Sequence, residues 1–499
     1  MPRLSAAILI GLLGATAPAS GQKLQPAANS LVPHDVNRAF LRVSNRGGFG
    51  LALAAVDAGN FPRGTLNRFL FGSGLWIGGI GDVDANGVPD SIVTVGYNPS
   101  EPEEIEWVEG AVGGFDRNDP RFRVLDSTNP EDQDEFPATA VADQELFTVY
   151  DDRVSVVTGG IPSIPIGIEV RQRSFAFDEP GLDGAIVFQW DLLNISHLIR
   201  ATGYTIRGLW TGIVLDPDIT VARVRSVNDD TAAPLDVDGQ PVLLLWDSDF
   251  SEQSFEGVPG FLAIVPLVNP GGRTTITQLA SSAVPGVLPV PLGDGTRYAT
   301  MAAVPPRTPT IVDPGFDLRA LVAWGTVDLP EGEVHRTAAA FVWAEPSGTP
   351  PALLTPLDPD LDQDLPVLSG LVEAVRAVRT AYGERLASLP ALLDFPGEPP
   401  PPGGGGDGSG ALLQNFPNPF RETTTIIYEV VDGGDVEIVV YDLQGREVER
   451  LAEGFREPGE YTVEWDGRSA ADREVAAGIY VIRMSTSTGM STIRALKVP

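Results

Sequence analysis

The sequence predicts a mostly all-β protein: a large antiparallel β-sandwich-type body with one late helix, then a small immunoglobulin- or fibronectin-like β-sandwich at the C-terminus. Three observations predict it. Short segments in which apolar and polar residues alternate recur along the chain, as half-buried antiparallel strands require. Glycine and proline, with 55 and 44 residues, make up about a fifth of the chain and punctuate those segments with turns at a density unsuited to long helices. The 43% hydrophobic and 20% charged content is that of a globular chain, and 499 residues ask for more than one core.

Taken in order, Met1, Pro2 and Arg3 give a short basic start, and Leu4 to Ala17 is uncharged and mostly apolar. That run is too short to span a bilayer, and the small residues Ala15, Ala17, Ala19 and Gly21 follow it. Residues 1–21 therefore read as a signal peptide cleaved near Gly21–Gln22. Residues 22–394 read as a β-rich passenger of one or two subdomains. Its strand-like segments are Phe69–Gly79, Ser91–Tyr97, Leu146–Val157, Ile164–Phe177, Ala185–Leu193, Tyr204–Leu215, Val242–Trp246, Gly260–Val265, Ala320–Val327 and Thr337–Trp343. No fixed period links them, so a propeller or solenoid is unsupported. Near the end of the passenger, Leu368, Leu371, Val372, Val375 and Tyr382 form one helical stripe, with Asp364 as its cap, Pro366 in its first turn and Pro390 as its stop. Residues 395–410 are a proline- and glycine-rich linker. Beyond it Thr424–Val430, Asp435–Asp442, Tyr461–Trp465, Gly478–Met484 and Thr492–Val498 read as the strands of the small sandwich, 411–499. No other segment approaches transmembrane length, so the mature protein is expected to lack a transmembrane segment.

A formal net charge of −33 excludes nucleic acid as a partner, because a phosphate-binding surface needs basic residues in excess, and it disfavours anionic lipid. Surplus acid keeps a secreted protein soluble, and it also suits a hard cation. Without a cysteine there is no disulfide and no thiolate site, so burial alone must stabilise the fold.

Catalytic patterns are absent. His34, His197 and His335 are scattered, with no His-Glu-x-x-His spacing, no nucleophile elbow and no phosphate loop. With 67 acidic residues, a pair of carboxylates at glycosidase spacing arises by chance and argues nothing. The chain thus leans away from an enzyme. The sharpest local chemistry is oxygen-rich. Asp82, Asp84, Asn86 and Asp90 alternate around Gly87, which is open to two readings, a hairpin turn or a Ca²⁺ loop. Asp216, Asp218 and Asp230, with Asn228, Asp229, Asp247 and Asp249, are a second acidic group, read as either solvated loop acids or cation ligands. Asp358, Asp360, Asp362 and Asp364 lead into the late helix, whose N-terminus favours negative charge. Calcium is the only cofactor these residues suggest. An alternative function, a carbohydrate-binding or glycan-degrading protein, rests on Trp76, Trp107, Trp210 and Trp246 as stacking surfaces.

The small sandwich opens on Asn415-Phe416-Pro417-Asn418-Pro419-Phe420. Next come the run 441–448 with Tyr441 and Gly445, the run 459–468 with Trp465, Asp466 and Gly467, and the run 478–483 with Gly478 and Tyr480. In these motifs residues 412–499 resemble the type A C-terminal sorting domain of type IX secretion substrates. A similar sandwich occurs in flagellar hook-capping proteins. The resemblance implies Sec-dependent passage to the periplasm, export by the type IX machinery, and attachment to surface polysaccharide or release outside. Phe71–Gly79 and Asp216-Pro217-Asp218 give the passenger a likeness to β-rich ectodomains that precede such domains, and that likeness implies no activity. The expectation is a secreted or cell-surface protein whose passenger is structural or adhesive.

Overall fold

The computed structural model describes residues 31–391 and 411–497, leaving out 52–58, 84–87, 101–104, 110–123, 222–229, 252–254, 304–315, 357–360, 413–414, 416–419 and 442–445 among other short stretches. The signal-peptide and linker readings, 1–21 and 395–410, lie outside the described residues.

Strands dominate, as the alternation predicts. Those used below are β1 (Leu31–His34), β2 (Phe40–Ser44), β3 (Asn67–Gly81), β4 (Asp90–Val95), β5 (Gln144–Asp151), β6 (Ile168–Ala176), β7 (Ala185–Asn194), β8 (Ile206–Val221), β9 (Asp230–Val237), β10 (Gln240–Asp247), β11 (Phe261–Val268), β12 (Arg273–Ala280), β13 (Leu318–Leu329) and β14 (Val334–Ala344). A ten-stranded sheet is built around the order β3-β8-β13-β12, with β1 and β2 beyond β3 and β4 paired to β3. A nine-stranded sheet runs β9-β10-β11-β14-β7-β6-β5.

The two sheets pack face to face. Leu75, Ile213 and Val322 of the first meet Val170, Phe188, Ile264 and Phe341 of the second in one buried core. Phe49 bridges them, its ring 4.7 Å from Phe188 and 5.9 Å from Phe341. The outer faces are covered as well. Helix α2 (Ser369–Ala381) lays Leu371, Val372, Val375 and Val378 on Val187, Ala338, Ala340 and Val342 of the second sheet. Helix α1 (Asp294–Met301) sets Met301 and Tyr298 against Trp76, Trp210 and Ala323 on the first. Many strands are therefore buried on both sides rather than half-buried: β5, β6 and most of β7 have no exposed position.

Tyr97 packs against β3 at Gly72 and Gly74, where it leaves no room for a side chain. A Cβ on Gly72 would stand 2.5 Å from the Tyr97 ring.

The late helix keeps the predicted stripe, with Leu368, Leu371, Val372, Val375 and Tyr382 all buried. Its start differs. A short 3-10 turn, Pro366–Leu368, precedes it without a side-chain cap, and Asp364 donates its backbone N–H to Asp362 instead of capping.

Residues 411–497 form two further sheets around a separate core. Strands β15 (Thr424–Val430) and β18 (Gly459–Trp465) face β17-β16-β19-β20, whose ranges are Glu447–Arg456, Gly434–Tyr441, Gly478–Ser485 and Met490–Lys497. Leu412, Ile426, Ile438, Trp465, Ile482 and Ala495 fill the space between.

Candidate functional site

The acidic residues singled out in the sequence are placed in strands and hairpins. Asp90 opens β4 opposite Gly81 of β3, so residues 82–89 connect two antiparallel strands. Asp82 accepts from the Arg200 guanidinium at its carbonyl, 2.7 Å, and at Oδ2, 3.2 Å. Asp84 and Asn86 lie outside the described residues.

Asp216 and Asp218 sit in β8, where the register against β3 shifts twice around Pro217. Both are buried. Asp216 lies 2.8 Å from Arg319 Nη1 and accepts the Tyr97 hydroxyl at 2.8 Å. Burial holds its carboxyl up at about 7, although Arg319 and the Tyr97 hydrogen bond pull it down. Asp218 is ion-paired with Arg68. Asp230 opens β9 and accepts the Ile219 N–H at 3.1 Å. It stands across from Asp247 in the β9–β10 ladder, and Asp247 accepts the Asp249 N–H at 3.0 Å. Asn228 and Asp229 lie outside the described residues. The arrangement is one of neutralised charge: arginines face Asp82, Asp216 and Asp218. Among the described residues no three Asp, Glu, His or Cys side chains are grouped to hold a metal ion.

Chain folding also assembles a constellation that no sequence pattern announces. His34 Nε2 lies 2.7 Å from Ser174 Oγ, and its Nδ1 lies 3.2 Å from Gln144 Oε1. Gln144 in turn donates to Asp126 at 2.9 Å. Hydroxyl, imidazole and orienting group are thus in contact, the arrangement that nucleophilic catalysis uses. Yet His34 and Ser174 are 0% exposed, and burial lowers the imidazole to about 3. A substrate cannot reach this group, which instead fastens β1 of one sheet to β5 and β6 of the other. Asp152 is a second such fastening. It accepts the Ile166, Gly167 and Ile168 N–H groups and the Thr94 hydroxyl at 2.7–3.0 Å, and burial raises it to about 6.

All eight tryptophans are fully buried, Trp76, Trp107, Trp210 and Trp246 among them. Their rings are packing mass, so the stacking surfaces that the carbohydrate alternative invoked are not available on tryptophan.

In the C-terminal sandwich the motif residues converge. Trp465 lies between Phe420 and Tyr480, with ring centroids 5.1 and 5.0 Å away. Tyr480 donates its hydroxyl to the Ala476 carbonyl at 2.7 Å, and Trp465 Nε1 donates to the Arg468 carbonyl at 2.8 Å. Asp466 accepts the Arg468 N–H at 3.0 Å, which shapes the turn after β18. Gly467 adopts φ of +67° beneath Lys497, where a Cβ would stand 2.8 Å from Cε. Lys497 donates to the Arg421 carbonyl at 2.7 Å and lies over the Phe420 ring. Tyr441 carries the Arg483 guanidinium on its face, 4.4 Å from the centroid. Gly478 is in extended backbone at the start of β19. Phe416, Pro417, Pro419 and Gly445 lie outside the described residues.

No curated protein matches the chain. Among solved structures, a polysaccharide lyase matches at 8% identity and a TM-score of 0.18, over 67% of this chain and 34% of that one. Dimeric latent PorU from Porphyromonas gingivalis matches at 10% identity and a TM-score of 0.17, over 63% of this chain and 31% of that one. The chain spans about a third of the length of each, and at such TM-scores neither likeness bears on what it does. A family likeness is found in the C-terminal sandwich, where residues 429–490 match the family of FlgD Ig-like domains.

Proposed function

We propose that this is a secreted or cell-surface protein exported by a type IX-like system, in which residues 411–499 are the sorting domain and residues 22–394 a structural or adhesive passenger. The observation that supports it best is the convergence of Phe420, Trp465, Gly467, Tyr480 and Lys497 into one packed unit inside an Ig-like sandwich. These side chains make a shape, not a reaction centre, and a shape built on short hydrogen-bonded turns suits recognition by an export machine. The non-enzymatic reading of the passenger is supported by its chemistry. Among the described residues His34, Asp152 and Asp216, whose titration burial shifts, are buried and bonded to the protein itself.

Deletion of residues 411–499 tests the export reading in a host with a type IX system. The truncated chain should remain in the periplasm while the full chain reaches the surface or medium. Equal export of both would overturn it. Calcium at the connection 82–90 is a separate proposal, set against the arginine that faces Asp82: a rise in Tm at millimolar Ca²⁺ that Asp82→Ala abolishes supports it, and no shift overturns it.

A further inference from the structure

The clusters above are bonded to the protein's own groups; a cleft at one end of the sandwich is open. It has a volume of about 230 Å³ and lies where both sheets end. Phe69 comes from β3 of the first sheet and Phe61 from the bend before it, residues 255–260 precede β11, and Glu345 to Pro350 follow β14. Phe69 sits edge-on between Phe61 and Phe255, with centroids 6.3 and 6.2 Å away and interplanar angles of 75° and 74°. Phe61 and Phe69 are fully buried beneath, so the floor is rigid, while Val258 on the wall is 43% exposed. A space of this size takes a single side chain, not a drug-sized molecule.

The rim is acidic and held in place. Asn67, itself 0% exposed, donates its amide to the Glu256 carbonyl at 2.9 Å and accepts the Glu256 N–H at 2.8 Å. A buried amide that satisfies both backbone groups of one surface residue fixes where that residue's side chain starts. Glu256 is exposed and makes no ion pair among the described residues. Across the cleft, Glu345 binds Arg38 at 2.8 Å, and the Arg38 guanidinium lies 5.0 Å over the Phe61 ring. One wall thus already holds a cation between an aromatic face and a carboxylate.

We propose that this cleft binds a ligand joining a side-chain-sized apolar group to one positive charge: a peptide segment in which an aromatic or aliphatic residue adjoins an arginine or lysine. The apolar group rests against Phe255 and Val258, which stand over the buried Phe69, and the charge sits at Glu256, where cation and carboxylate attract at the rim. A net charge of −33 adds long-range attraction for such a partner. This inference stands apart from the export reading.

The test titrates the full chain with benzyltrimethylammonium, with phenylacetate of similar shape and opposite charge, and with N-acetyl-phenylalanyl-arginine amide, read by ligand-observed NMR. Both cations should bind, and phenylacetate should bind at least about tenfold more weakly. Glu256→Gln should weaken the cations severalfold without changing Tm, and Phe255→Leu should weaken them as well. Phenylacetate binding as tightly as benzyltrimethylammonium would overturn the proposal. So would unchanged cation affinity in Glu256→Gln. A peptide amide that binds more weakly than benzyltrimethylammonium would overturn the assignment to a peptide.

Discussion

At the scale of single residues the molecule is governed by titratable groups held away from water. His34 keeps its proton off until about pH 3 because burial penalises the imidazolium, and that outweighs the Gln144 hydrogen bond, which pulls the other way. Its unfolded counterpart takes up a proton near pH 6.5. As pH falls below 6.5 the unfolded chain therefore binds more protons, and His34 costs the fold stability down to about pH 3. Asp152 and Glu106, held up at about 6, and Asp216, at about 7, work in the opposite sense. Burial is the first cause for all three, so the folded state protonates first and gains stability as pH falls from about 7 towards the ordinary carboxylate range. The two tendencies oppose each other between about pH 4 and 6.5. His34→Gln removes only the loss, worth about 2 kcal/mol between pH 7 and pH 5. In denaturant titrations this variant should become more stable on acidification by about that amount relative to the parent. Parallel pH profiles would show that His34 is protonated in the fold. None of these groups was legible in the sequence as a buried anchor, because residue spacing does not report which segments a fold brings together. His34 and Ser174 are 140 positions apart.

At the scale of elements the predicted pattern and the structure agree where apolar periodicity is strong. Leu371→Ala in α2 removes a side chain that is 0% exposed and packed on the second sheet, and should cost about 2–4 kcal/mol in an unfolding titration. A cost near zero would mean that α2 does not seal that face. In the C-terminal sandwich Gly467→Ala puts a Cβ against Lys497 at a left-handed φ, and should destabilise that unit by about 1–2 kcal/mol. Calorimetry should show the loss in the transition of the small sandwich alone. Unread elements have a common cause. Strand β17 carries Glu447, Glu449, Arg450 and Glu453 on a sheet edge, so it shows no apolar alternation. Strand β9 begins in the acidic run and contains Pro234, which its place at the sheet edge tolerates. Helix α1 is eight residues long, too short for a periodic stripe. The alternation also understated burial, since helices and the opposite sheet cover faces that the sequence reading left half-exposed.

At the scale of the whole molecule two things were legible: a β-rich body and a small sandwich with recognisable motifs. What the body binds was not. The cleft at Glu256 depends on residues 61, 69, 256 and 345, which only the closing of two sheets brings together. The buried tryptophans show the same limit from the other side, because an aromatic residue in a sequence carries no mark of which face it takes. On the proposed reading the C-terminal sandwich is an address, read and then removed, on a passenger that works outside the cell. Intact mass of the native protein recovered from the cell surface and from the medium tests it most directly. The expected species lacks the first ~21 residues, the length a cleaved leader takes, and everything beyond the linker at 395–410. A recovered chain that still carries the sandwich, or a protein confined to the periplasm, would contradict it and make residues 411–499 an ordinary accessory domain.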